Sequence, residues 1–190
     1  MRNDEELRRS EERLVRDFKN GDNLAFTALY NRHKRSVFVF CSKMLMNSEK
    51  AKDVVQETFL RIFEHREQLT HPSRFRSWVF AIARNQCLTA FRHSKHEAAE
   101  EVEFDLVNAS SDESPEESLE RHQNSDLVNK YLSRSRIEYR EVLILREYQN
   151  LSYREIAETL GSTESAIKSR IFKARQRLFE LLKPILKERG

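Results

Sequence analysis

The residues with the plainest chemistry lie near one end of the chain. Lys168, Arg170, Lys173, Arg175 and Arg177 run from 168 to 177 with no acid between them. At helical spacing such a run lays cations along one rod, which suits contact with a phosphate backbone. Acids cluster elsewhere: Asp53, Glu57 and Glu64 share one stretch, and His93 and His96 form a short pair. Either set could suggest a metal, but neither has a convincing third ligand. Cys41 and Cys87 lie far apart inside apolar patterns and read as reduced core residues. With no glycine-rich phosphate loop and no nucleophile motif, the sequence predicts no cofactor, no metal and no catalytic site.

The elements that must position these groups read as helices throughout. Of the residues, 34% are charged and 38% hydrophobic, with only 3 Gly and 3 Pro, which disfavours a fold built from many tight turns. Charge divides the chain in three. Residues 1–96 carry 19 Lys/Arg against 12 Asp/Glu, residues 97–120 carry none against 10, and residues 121–190 carry 15 against 9. Two basic blocks flank an acidic stretch, as expected if each block meets nucleic acid and the middle does not. The expected organisation is an N-terminal charged helix (1–21), a first helical domain (22–96), a flexible acidic linker (97–113) and a second helical domain (114–190). The start, Met1 to Glu12, lacks the apolar core of a signal peptide and no stretch is long and apolar enough for a span, so a cytoplasmic protein without membrane insertion is expected.

Within the first block, residues 5–19 form a charged helix with Leu7, Leu14 and Phe18 on a thin stripe. Asp22 is the expected cap of a helix to about Met46, and Ser48 the cap of the next. In that next helix Val54, Val55, Thr58, Phe59, Ile62 and Phe63 make one apolar face, leaving Asp53, Gln56, Glu57, Leu60, Arg61 and Glu64 opposite. Leu60 stands alone on an otherwise polar stripe; pattern alone favours a solvated face with one stray leucine. Pro72 breaks the chain before a helix from about Arg74 to His93. Phe75, Val79, Ile82, Ala83, Cys87 and Ala90 face its core, while Arg76, Phe80, Arg84, Asn85, Arg92 and Lys95 point outward. Cations interleaved with aromatics suit single-stranded nucleic acid, phosphates meeting the cations and bases the rings. Trp78 reads as a packing residue.

After the linker, Ser114-Pro115-Glu116-Glu117 is a helix start. Ile156, Ala157 and Leu160, then Gly161, then Ile167 and Ile171 give two short apolar faces around a tight turn, a helix-turn-helix pattern. The second of these helices carries the basic run, which favours DNA binding over a solvated basic face.

Two stretches together resemble the extracytoplasmic-function sigma factors of the sigma-70 family. In the first block the carriers are Asp53-Val54-Val55-Gln56-Glu57-Thr58-Phe59-Leu60 and Phe75-Arg76-Ser77-Trp78-Val79-Phe80-Ala81-Ile82-Ala83-Arg84-Asn85. In the second they are Arg140-Glu141-Val142-Leu143, Leu151-Ser152-Tyr153-Arg154-Glu155-Ile156-Ala157 and 166–175. The resemblance implies a non-catalytic subunit that directs core RNA polymerase to promoters. It implies that Asp53, Gln56, Glu57 and Leu60 meet the clamp helices of the largest polymerase subunit, which reverses the reading of Leu60 as stray. Leu69, Arg74, Arg76, Arg84, Asn85 and Arg92 would meet the melted minus-ten element. Arg146, Lys168, Ser169, Phe172 and Lys173 would meet the minus-thirty-five element. The flap of the second-largest subunit and an anti-sigma factor are further implied partners. The chain departs from the family where Leu69 replaces an aromatic found in some relatives, and where Thr163-Glu164-Ser165 replaces a glycine-containing start. Two rivals predict different behaviour: a stand-alone helix-turn-helix regulator binds its operator without polymerase, and a metal-dependent nucleic-acid enzyme uses the acids near Asp53 to Glu64.

Overall fold

The computed structural model describes residues 2–97 and 127–188, and among them every regular element is helical. The expected linker, the helix start at Ser114 and the side chains of His93, Lys95 and His96 lie outside the described residues and side chains. The first half holds α1 (Arg2–Lys19), α2 (Asn23–Leu45), α3 (Ser48–Glu64) and α4 (Phe75–Glu97), with single 3-10 turns at Arg66–Gln68 and Pro72–Arg74 between the last two. The second half holds helical residues 127–134 (α5), α6 (Ile137–Leu143), a π-helical turn (Ile144–Tyr148), α7 (Tyr153–Leu160) and α8 (Glu164–Glu188).

Local chemistry sets the boundaries. Asp22 caps α2 as expected, its carboxylate accepting from the Leu24 and Ala25 amides at 2.8 and 3.2 Å. The cap of α3 is one residue earlier than expected: Asn47, in extended backbone, accepts from the Lys50 amide at 2.9 Å, and Ser48 begins the helix. Met46 is the reason. It closes α2 in the left-handed region (φ 54°), so the chain reverses there and Asn47 is the residue left in cap geometry. In α7, Ser152 and Glu155 form a capping box, and Gly161 ends the helix at φ 59° while the Ser162 amide bonds back to the Ala157 carbonyl at 2.9 Å.

The first half packs α2, α3 and α4 together with α1 laid across them. Helix α1 is more than a charged extension, because Val15 and Phe18 are buried, and Phe18 meets Phe26 at a ring-centroid distance of 5.2 Å. A polar contact adds to this: buried His33 Nε2 lies 2.6 Å from Glu11 Oε1, with Arg32 3.9 Å from the same oxygen. Burial alone raises the Glu11 pKa, but the hydrogen bond from His33 and the charges of His33, Arg32 and Arg76 outweigh it, leaving the carboxyl below its ordinary value of 4.5. A depressed carboxyl stabilises the fold above its ordinary value and ceases to do so as pH falls through the folded one. Glu11→Gln is therefore expected to lower the melting temperature at pH 7, with the difference from the parent shrinking as pH falls below 4.5. Thermal melts of both proteins across pH 3 to 7 check this; a difference independent of pH would remove the ionic role from Glu11.

The second half is built around Leu132, Val142, Leu143, Ile144, Leu145, Ile156, Ile167, Ile171 and Ala174, all buried. Tyr131 donates from its hydroxyl to the Ala174 carbonyl at 2.8 Å, tying α5 to α8. The two halves share one apolar core. Helix α4 packs on α7, and α2 on the π-helical turn. Phe80, expected on the outer side of α4, is 0% exposed. Three residues before Ala83 and seven before Cys87, it shares their face of the helix, and its ring meets Phe40 of α2 edge-on at a centroid distance of 5.5 Å, so it belongs to the buried stripe itself.

Candidate nucleic-acid and polymerase interfaces

Helix α3 sorts its residues as its period requires. Val54, Val55, Thr58, Phe59 and Ile62 are buried against α2 and α4, and Asp53, Gln56 and Leu60 are exposed. Glu57 is half-exposed and pairs with Arg61 one turn on, at 2.8 Å. Leu60 is 52% exposed, a large apolar side chain held among charges by a helix whose other face is locked in the core. The structure thus brings Asp53, Gln56, Glu57 and Leu60 into one continuous surface stripe.

The six residues expected at the melted strand divide differently. Asn85 and Arg92 are exposed on α4, Arg92 donating to the Thr89 hydroxyl at 3.1 Å. Leu69 is only 3% exposed, and its carbonyl accepts from the Lys19 ammonium of α1. It departs from the sequence expectation: between the two 3-10 turns the apolar side chain turns into the core, so it anchors the loop and does not present a surface to a base. The other three meet the second half. Arg74 lies 3.7 Å from Glu158, Arg76 donates to the Gln149 carbonyl, and Arg84 Nε donates to Glu141 Oε2 at 2.6 Å.

In the helix-turn-helix, α7 and α8 set the basic face. Ile167, Ile171 and Ala174 turn inward, which leaves Lys168, Ser169, Phe172 and Lys173 exposed on α8. Phe172 is 68% exposed. Arg146, on the π-helical turn, donates to the Leu151 carbonyl at 2.7 Å, and its guanidinium lies 5.0 Å from the Tyr153 ring centroid. Lys168 Nζ lies 5.7 Å from the same ring, so Tyr153 places two cations side by side in front of α8. The rest of the basic run is partly neutralised: Arg175 makes two contacts to Glu147 Oε1, at 2.6 and 3.0 Å, and Arg170 lies 3.5 Å from Glu141. The hydrogen bond to Glu147 pushes the Arg175 pKa further up. Among the described residues no group of three or more potential metal ligands occurs, and no helix is long and apolar enough to cross a membrane.

Sequence reasoning missed Arg140, Glu141, Glu147 and Tyr153 as organisers of these surfaces. Arg140 and Glu141 carry a legible signal, being opposite charges set at the head of the apolar run Val142 to Leu145, where a solvated pair is out of place.

An all-helical chain with an acid-and-leucine stripe in its first half and a basic helix-turn-helix in its second is the architecture of a two-part transcription initiation factor. A family model described as Sigma-70 region 2 matches residues 29–97, and one described as Sigma-70, region 4 matches residues 136–178. RNA polymerase sigma factor CarQ of Myxococcus xanthus is 30% identical over 168 residues, covering 87% of this chain and 93% of that protein. RNA polymerase sigma-H factor of Pseudomonas aeruginosa is 29% identical over 189 residues, covering 94% and 96%. Among solved structures, a complex of CnrH with the cytosolic domain of CnrY matches with a TM-score of 0.69 at 25% identity, covering 92% of this chain and 97% of that one. The sigma factor RpoE with the anti-sigma factor NepR from Bartonella quintana matches at 0.70 and 25%, covering 83% and 96%. The chain belongs to the extracytoplasmic-function sigma factors of the sigma-70 family.

Proposed function

We propose that this chain binds core RNA polymerase and directs it to a set of promoters carrying paired minus-ten and minus-thirty-five elements. The observation that carries the reading is the order of surfaces along one chain: an outward acid-and-leucine stripe, a basic α4, and a basic recognition helix, each held by a buried opposite face. Residues 22–96 act as the region 2 domain and 114–190 as the region 4 domain, with the acidic 97–113 between them. Asp53, Gln56, Glu57 and Leu60 take the clamp helices of the largest subunit, and region 4 takes the flap of the second-largest. Arg74, Arg76, Arg84, Asn85 and Arg92 line the melted minus-ten strand. Arg146, Lys168, Ser169, Phe172 and Lys173 read the minus-thirty-five element, cations on phosphates and Phe172 against a base edge or methyl group.

Catalysis belongs to the polymerase, and the site of action is the cytoplasm. Each domain alone binds DNA weakly; holding both on one polymerase raises their effective concentration, so selectivity emerges in the holoenzyme. An anti-sigma factor is a fitting regulator, since both structural neighbours above are complexes, one of them titled as a sigma factor with its anti-sigma factor.

The test is transcription in vitro from fragmented genomic DNA with purified bacterial core polymerase, with and without the protein. New start sites preceded by a shared pair of spaced elements are expected. No new starts, together with binding of a defined operator by the protein alone, would replace this reading with that of a stand-alone regulator.

A further inference from the structure

Several cations of the second half already have partners: Arg140 donates to three carbonyls, Arg170 lies 3.5 Å from Glu141, and Arg175 makes two contacts to Glu147. Four others, Lys130, Arg134, Arg136 and Arg177, gather around one cavity of about 390 Å³ bounded by α5, the turn after it, α6 and α8. Among the described residues no acid lines it. A cavity of nearly the same size between α1 and α7 carries four glutamates against three arginines, so its charges largely cancel. Here the charges add, and a cleft with low-dielectric walls focuses their positive potential on an incoming anion.

Aromatic rings complete the lining. Tyr131 is 8% exposed and its hydroxyl is committed to the Ala174 carbonyl at 2.8 Å, so it offers the cavity its ring. Tyr139 is half-buried, and the Arg177 guanidinium lies 4.8 Å from its ring centroid. Arg136 holds the cap position of α6 without bonding it through its side chain, so the helix makes no demand on that guanidinium. Guanidinium groups take phosphate oxygens two at a time and stack on planar rings, and tyrosine faces accept bases. The volume matches a small molecule. From these features we infer that the cavity is a binding site for a nucleotide carrying two or more phosphates, with Lys130, Arg134 and Arg136 on the phosphates and Tyr139 with Arg177 on the base. None of the residues proposed for the minus-thirty-five element lines the cavity, so the inference stands apart from that reading.

The test is calorimetric titration of the full chain with adenosine diphosphate and with guanosine diphosphate, and with adenosine and inorganic pyrophosphate as the separate halves of the ligand. Arg134→Ala together with Arg136→Ala removes two exposed cations from the cavity. Arg35→Ala together with Lys52→Ala removes the same charge from exposed positions of α2 and α3 and serves as the control. Tyr139→Leu removes the ring. Should that variant fold poorly, the exposed arginine pair carries the test.

At least one of the two diphosphates is expected to bind at a single site per chain, more tightly than adenosine or pyrophosphate. The double arginine variant should bind it about ten-fold more weakly and Tyr139→Leu about five-fold more weakly, while the control pair binds as the parent does. Absence of binding by both diphosphates would overturn the inference. An equal loss in the control pair would do the same, since it would mark attraction to net charge alone, as would pyrophosphate binding as tightly as the nucleotides, which leaves the ring without a role. If neither nucleotide bound and the double arginine variant instead weakened binding to promoter duplex or to core polymerase, the cavity would be a contact for a macromolecule and the nucleotide site would be withdrawn.

Discussion

Replacing Arg140 by methionine is expected to destabilise the protein by about 3 kcal/mol, a drop of roughly 6 to 12 °C in melting temperature for a chain of this size. The side chain is buried, and its partners are carbonyls. Nε donates to Leu132 O, Nη2 to Ser133 O and Nη1 to Met44 O, each at 2.7 Å. The first two close the turn between α5 and α6. The third reaches the last turn of α2, where carbonyls left without helical partners attract a cation. One guanidinium therefore fixes the local shape of region 4 and joins it to region 2.

Desolvation lowers the Arg140 pKa from its usual value, the expected effect of burial on a cation, and the carbonyl bonds are what make that burial tolerable. Methionine fills much of the volume but removes three bonds: the Leu132 carbonyl keeps the Ser135 amide at 3.2 Å, while those of Ser133 and Met44 lose the guanidinium, each worth on the order of 1 to 3 kcal/mol when buried, less what water entering the turn recovers. Lysine is the discriminating control. An ammonium on a single stem cannot meet three carbonyls placed around a planar fork, so Arg140→Lys should recover less than half of the loss. Equal stability of the lysine and arginine proteins would show that the charge matters and the fork does not.

The cap at Asp22, the two-faced character of α3 and the glycine turn at Gly161 were all legible in the sequence, because each depends on neighbours a few residues away. Capping and the 3.6-residue period are local rules. What the sequence hid depends on distance along the chain. Phe80 reads as a boundary residue of α4, and only the approach of Phe40 of α2, 5.5 Å away between ring centroids, shows that the buried stripe is wide enough to include it. Leu69 reads as a loop residue, and only the approach of α1, with Lys19 on its carbonyl, makes it part of the core. The pairing of Arg84 with Glu141 spans 57 residues and follows no period. Charge counting predicted two basic blocks that both meet nucleic acid; it could not indicate that part of one block finds its anion in the other.

The stripe proposed for the polymerase allows a separation of binding from stability, and Leu60→Asp is expected to weaken binding to core polymerase by at least about 30-fold while costing the free protein only about 1 kcal/mol, the penalty of an acid near the end of α3 between Glu57 and Glu64. Leu60 is 52% exposed, so the free chain gives up little packing on its loss; whatever it stabilises must be a complex. An apolar residue at the centre of a charged stripe is where an interface excludes water, and a carboxylate there must be desolvated without a partner, adding a repulsive component to the lost contact. Glu57→Ala should weaken polymerase binding less, since its carboxylate is half-exposed and already shared with Arg61, and should cost the free protein only the few tenths of a kcal/mol of that helical pair. Titrating labelled protein into core polymerase, with melts of the free variants alongside, measures both quantities. If Leu60→Asp kept its polymerase affinity, the stripe would be ordinary solvated surface and the clamp contact would have to be sought elsewhere on the first half. If it lost affinity and stability together, Leu60 would be a packing residue whose exposure had misled. Only a loss of affinity well beyond the small loss of stability fits a helix whose inward face holds the fold and whose outward face holds the polymerase.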